Sequence, residues 1–321
     1  MIKTKLSPKE LYDKIYGGWL GRCAGCLLGK PIEGWDKNKI ERLLKFAGAY
    51  PMANYFPVIT KPKKEYRHLN RKNKMLAGNI DRMVRDDDTD YTIMGLHIME
   101  TYGLKFTTQD VGNQWLNHLP FLNVYTAERV AYKNLVNGIK PTRTATFKNP
   151  YKEWIGAQIR ADAWGYAAPG RPELAAEFAY RDASLSHIKN GIYGEMWVSA
   201  MLAAAFTTSS IKDIISIGLS EIPRHCLLSQ AIHMVMEESG RHSDWRKTFA
   251  QIKKRYGGLN WVHTVNNAAL VAMGVPTPLR MVLPSRPLVP AGPWEPVDPV
   301  APVRPMGPWE PVAPVAPVAP V

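Results

Sequence analysis

Apolar and polar positions along this chain follow helical spacing almost throughout. Leu11, Ile15, Trp19 and Leu20 form one stripe near the start. Ser7 stands where a cap is needed, Pro8 suits the first helical turn, and Glu10 completes a capping box. The predicted helix then runs into Gly21, Gly25 and Gly29. Glycine is costly inside a helix, so this recurrence predicts a flat face where another backbone approaches. A second helix is predicted over 88–102. A third opens at Thr107, with Asp110 as box partner, and ends near Pro120. A fourth runs from Thr126 to Gly138, and an alanine-rich one starts at Pro172. Residues 191–206 are apolar nearly all round, which predicts a central, buried helix. Helices near 210–219, 223–238, 243–256 and 260–273 follow, with Gly240 and Gly257 as C-terminal stops. Strand-like alternation is absent. The expected fold class is all-α, a many-helix orthogonal bundle.

After Gly274 the pattern changes. The remaining chain is rich in Pro and Val, and GPWEPV occurs at 292–297 and again at 307–312. Proline at every third residue matches the turn of a polyproline II helix, and glycine lacks the period of collagen. Two domains are therefore expected: 1–274, helical, and 275–321, an extended or disordered tail. A tail of this kind also suits the aromatic grooves of WW or SH3-type domains.

The chain has 321 residues, 45% of them hydrophobic, which is enough for one large core or two smaller ones. No apolar run reaches bilayer-spanning length, and MIKTKLSPKELYDK lacks a secretory h-region, so a cytoplasmic location is expected. The formal net charge of +13 is partly local: Lys61, Lys63, Lys64, Arg67, Arg71, Lys72, Lys74, Arg82 and Arg85 crowd one stretch. Such a patch is either a solvated face or a funnel for a phosphate-bearing substrate. No nucleic-acid signature accompanies it. The three cysteines include a Cys23-x-x-Cys26 pair with no second pair elsewhere. That pattern reads as small residues in a packed helix rather than a redox or metal motif.

The residues that carry chemistry sit in RDDDTDYT, 85–92. Asp86, Asp87, Asp88 and Asp90 repel one another unless something neutralises them. A helix N-terminus accounts for one of them, or two. A bound cation accounts for more. Counting an EF-hand from Asp86 puts Tyr91 where glycine is required and His97 where glutamate is required, which excludes that loop. What remains is an oxygen-ligand site for a hard cation, completed by acids from elsewhere. Glu33 in GKPIEG is the first candidate, its other reading being an exposed loop acid.

Five stretches in order resemble the ADP-ribosylglycohydrolase family. They are YGGWLGRCAGCLLGKPIEGW (16–35), DDDTDYT (86–92), IGAQIRADAWG (155–165), ASLSHIKNGIYGEMW (183–197) and NWVHTVNNAALVAMG (260–274). The resemblance implies an all-α fold and two Mg²⁺ or Mn²⁺ ions in a cleft. It implies hydrolysis of the bond between ADP-ribose and a protein side chain or small acceptor, so the partner is an ADP-ribosylated protein or a small ADP-ribose conjugate. Carried over by motif, Asp86, Asp87 and Asp88 are metal residues supported by Thr89, and Glu33 orients water or a ribose hydroxyl. Gly156, Gln158, Arg160, Asp162 and His187 line the substrate pocket. Asp86 replaces the Ser or Thr common in the family.

The resemblance also implies a second acidic motif, Asp-x-Asp-like, after the helix at 260–274. Here the Pro/Val stretch occupies that place, with Glu295, Asp298 and Glu310 as its only acids. The helical domain is thus expected to be C-terminally incomplete, with fewer than two ions held. The competing readings are a non-catalytic ADP-ribose or nucleotide-binding protein on the same fold, and an interaction module acting through its tail.

Overall fold

The computed structural model of the chain describes residues 6–275. These form thirteen α-helices: α1 (Pro8–Gly29), α2 (Lys37–Phe46), α3 (Asp87–Tyr102), α4 (Thr108–His118), α5 (Thr126–Val136), α6 (Arg143–Thr146), α7 (Asp162–Ala167), α8 (Pro172–Ala183), α9 (Asn190–Ala204), α10 (Ile211–Ser220), α11 (Leu227–Arg241), α12 (Trp245–Tyr256) and α13 (Thr264–Gly274). Among the described residues there is no strand, only an isolated bridge between Trp154 and His263. The protein is all-α. No helix among these residues is long and apolar enough to cross a membrane. The tail expected at 275–321 lies outside the described residues, apart from Val275.

The local signals explain the helix starts. Ser7 and Glu10 form the expected capping box on α1, and Thr107 and Asp110 form the one on α4. Asp86 caps α3 by accepting a hydrogen bond from the Asp88 amide at 3.2 Å. Other expectations are corrected. The helix expected to open at Thr126 does so but ends at Val136, two residues short of Gly138, and no side chain caps its start. Gly240 lies inside α11, which continues to Arg241; a glycine stops a helix by taking positive φ, and Gly240 does not. Gly138 does, at +75°, just beyond α5. The helix α2 was not foreseen, although Asp36 caps it and Glu41 pairs with both Lys37 and Lys45 along its surface.

Two cores organise these helices. One gathers Tyr91, Met94, Ile98, Phe106, Trp115, Trp164 and Phe178 from α3, α4, α7, α8 and their connections. The other gathers Trp197, Leu228, Ile232, Val235, Val265 and Ala268 from α9, α11 and α13. Between them runs α9, packed on α7, α8, α10 and α13 and buried along most of its length, as its all-round apolar pattern requires. Glycine allows one approach that matters for the site. A Cβ on Gly95 would stand 2.6 Å from the Ala163 Cβ, so α3 and α7 meet almost backbone to backbone. This contact fixes the direction of α3 and hence of its acidic start.

The expected flat face of α1 is different. Among the described residues nothing lies within 4 Å of a Cβ built on Gly21, Gly25 or Gly29, so these glycines face open space instead of a packed neighbour. The helix buries only Cys26 and Leu27. The basic stretch has its own small core, in which Phe56, Ile59, Tyr66, Leu69 and Leu76 pack on Leu43 and Leu44 of α2. Its nine lysines and arginines are all exposed.

Candidate metal centre and its cleft

The end of α1 and the start of α3 meet across a cleft of about 650 Å³. From α1 come Gly25, Cys26 and Gly29, and beyond its end Lys30 and Glu33. From α3 come Asp87, Asp88 and Tyr91, with Asp86 as its cap. The far wall is Tyr125, Thr126, Glu128, Trp154 to Gly156, Ile159 and Asn260 to Val262. Two distant stretches build that wall together. The Ile155 amide donates to the Val262 carbonyl at 2.8 Å and the Thr264 amide to the Glu153 carbonyl at 3.0 Å. A larger cavity of about 920 Å³ adjoins, sharing Glu33 and Trp261.

The acidic run and Glu33 thus reach one cleft. Asp86 is buried, and the Lys30 ammonium lies 2.9 Å from its Oδ2 and 3.2 Å from Glu33 Oε2. Glu33 itself is half exposed at the cleft mouth. Thr89 is buried and off the lining; its hydroxyl donates to the Asp86 carbonyl at 2.9 Å, bracing the turn that presents the acids. Asp90 turns to Arg85 instead, 2.6 Å away.

Crowding sets the charge state. Burial works to raise the Asp86 carboxyl, but hydrogen bonds from Lys30 and Asp87 outweigh it and hold it below its usual range. Asp87 goes the other way, pushed up to about 8 by burial first and then by Asp86 and Asp88. Burial also raises Asp88. One proton is therefore held between Asp86 and Asp87 near neutral pH. A carboxyl whose folded value exceeds its unfolded one stabilises the fold fully below the unfolded value and loses that contribution as pH rises through the folded one. The metal-free protein should therefore lose stability as pH rises from 3.8 to about 8. The slope from this one group is at most about 1.4 kcal/mol per pH unit. Thermal melts across that range should show the decline, and Asp87→Asn should flatten it.

The donor set suits a cation. Cys26, Asp86 and Asp88 each offer one ligand atom, and these lie within 4.8 Å of one another. The Lys30 ammonium already serves as a cationic partner of Asp86. The Tyr91 hydroxyl, on the same lining, is buried without a hydrogen-bond partner. Sequence reasoning missed Cys26 and Lys30. Their spacing, one helical turn apart and three residues before Glu33, was the available signal.

The expected pocket residues divide. Gly156 lies on the lining, and a Cβ there would overlap the Glu128 carboxylate at 2.0 Å. Gln158, Arg160, Asp162 and His187 are buried and off the lining. Arg160 Nε donates to Asp182 Oδ2 at 2.6 Å and Nη1 to Glu128 Oε1 at 2.8 Å, while Nη2 lies 3.5 Å from Glu195 Oε2. It holds the wall from behind. Asp162 takes a bidentate pair from Arg22 of α1. His187 bonds Ser186 through Nδ1 at 2.8 Å, and burial followed by the Arg160 charge holds its pKa well below the usual histidine value. None of the nine basic residues lies on the cleft; Lys30 is the one lysine or arginine among the lining residues.

Comparison with curated proteins and with solved structures gives no match. Comparison with family models matches residues 7–283 to ADP-ribosylglycohydrolase. That span holds all thirteen helices and every residue of the cleft, and the chain belongs to the ADP-ribosylglycohydrolase family.

Proposed function

We propose that this chain is a dication-dependent hydrolase of the bond joining ADP-ribose to a protein side chain or small acceptor, acting in the cleft between α1 and α3. Family membership carries the general reaction, hydrolysis of ADP-ribose linkages. The observation that carries the finer reading is the convergence of Glu33 with Asp86, Asp87 and Asp88 on one lining. Asp86, Asp87 and Asp88 are the residues that would hold Mg²⁺ or Mn²⁺, with Thr89 bracing them. Bound there, a dication would polarise ribose hydroxyls and lower the pKa of a coordinated water.

The remaining work falls to the chain. Cleavage at the anomeric carbon passes through an oxocarbenium-like state, which needs a base for water and fixed ribose oxygens. Glu33, half exposed at the mouth and paired with Lys30, is the base. Lys30 is the cation for the pyrophosphate. Tyr125, Trp154 and Trp261 offer flat faces to the purine. Arg160, Asp162, Gln158 and His187 act as wall supports, and Gly156 leaves room beside Glu128. In this reading residues 1–274 form the hydrolase domain and 275–321 an appended segment.

A second reading, a non-catalytic binder of ADP-ribose, draws on one observation: Lys30 sits on the acids that a cation would need. Hydrolysis of ADP-ribosyl-arginine and ADP-ribosyl-serine, with and without Mn²⁺, separates the two. Mn²⁺-dependent release of ADP-ribose is expected; ADP-ribose binding with no release supports the binder. Calorimetric titration with Mg²⁺ or Mn²⁺ should show at most one weak site, because the second acidic motif is replaced. Two tight sites would contradict that expectation.

A further inference from the structure

We infer that Cys26 is itself a metal ligand, so that Cys26, Asp86 and Asp88 form a sulfur–oxygen–oxygen set favouring a thiophilic dication, Zn²⁺ or Co²⁺, over Mg²⁺. This rests on the proposal that a cation binds in the cleft, and narrows which one. Cys26 is buried in the last turns of α1 yet lies on the cleft lining. The three ligand atoms stand within 4.8 Å of one another, close enough for one ion after small side-chain rotations. A further feature of the lining speaks for a ligand: the buried, unpartnered hydroxyl of Tyr91.

The other cysteines stand apart. Cys23 is half-buried and off the lining, and Cys226 uses its sulfur to cap α11, accepting from the Ser229 amide at 3.3 Å. The sulfur in the cleft therefore comes from Cys26. Magnesium prefers an all-oxygen octahedron, whereas zinc and cobalt accept thiolate readily. When the sulfur–metal bond forms, the S–H bond breaks and its proton leaves to solvent.

The test is Co²⁺ titration of the full-length reduced protein. Binding is followed calorimetrically, and ligation by the sulfur-to-cobalt charge-transfer absorption in the near ultraviolet. The expected result is a band that saturates with binding, disappears in Cys26→Ser and persists in Cys226→Ser. Zn²⁺ affinity should fall more than about tenfold in Cys26→Ser, while Mg²⁺ affinity changes less than about twofold. Zn²⁺ should also protect Cys26 of the unaltered protein from alkylation, read by peptide mass spectrometry, which needs no variant to fold. Cobalt that binds without the band, or alkylation unaffected by zinc, overturns the cysteine ligand and leaves the cation reading intact. No cobalt, zinc or manganese binding at all overturns both.

Discussion

Arg160→Met is expected to lower the stability of the protein by about 3–5 kcal/mol, the cost of breaking a buried ion pair from one side. The guanidinium is almost fully buried and is the shared partner of Glu128 and Asp182, with Glu195 beside it. Its removal leaves three carboxyls in the interior without a counter-charge. Burial already raises the pKa of Glu128 and Glu195 above the usual range, so the folded protein can absorb part of the loss by taking up protons. The loss should therefore shrink at lower pH. Arg160→Lys should recover little, because three separate N–H directions are in use and one ammonium cannot reproduce them. Urea unfolding curves at two pH values measure both effects. A midpoint unchanged in Arg160→Met would show that the cluster is held by something else. Because Glu128 also lines the cleft, the same variant should weaken ADP-ribose binding.

Asp88→Ala carries the second large effect. Unlike Asp86, paired with Lys30, and Asp90, paired with Arg85, Asp88 makes no salt bridge among the described residues, so its removal should strip the cation site without undoing the fold. Dication affinity should fall by more than about 100-fold, beyond what loss of an outer-shell partner costs. The metal-free protein should be no less stable than the parent, since burial and Asp86 both disfavour the charged form of Asp88. Calorimetry gives the first quantity and thermal melting the second. Unchanged affinity would remove the aspartate run from the ligand set.

What the sequence discloses about this protein follows the range of the interactions. Capping boxes at Ser7 and Thr107 involve residues three apart, so residue types alone place those helix starts. The all-round apolar character of 191–206 likewise places α9 in the interior. The aspartate run reads as a cation site because three adjacent like charges need an explanation within the run itself. The Arg160 cluster is different. Its acids lie 32, 22 and 35 positions away in Glu128, Asp182 and Glu195, and nothing local in 155–165 shows that its arginine points inward. Residues that a motif assigns to a pocket can equally serve as its backing. Cys26 was passed over for a related reason: metal-binding cysteines are sought in pairs, and its companions here are carboxylates brought in by α3.

The long first helix has a mechanical consequence. One wall of the cleft hangs from α1, which is fastened by Cys26, Leu27, the Arg22–Asp162 clasp and a hydrogen bond from Lys14 to the Ala205 carbonyl. A helix so lightly moored opens at lower free energy than the core it borders. Its amides should exchange hydrogen before those of α9, and anything spanning α1 and α3 will act as a strut, slowing that exchange in proportion to how tightly it holds.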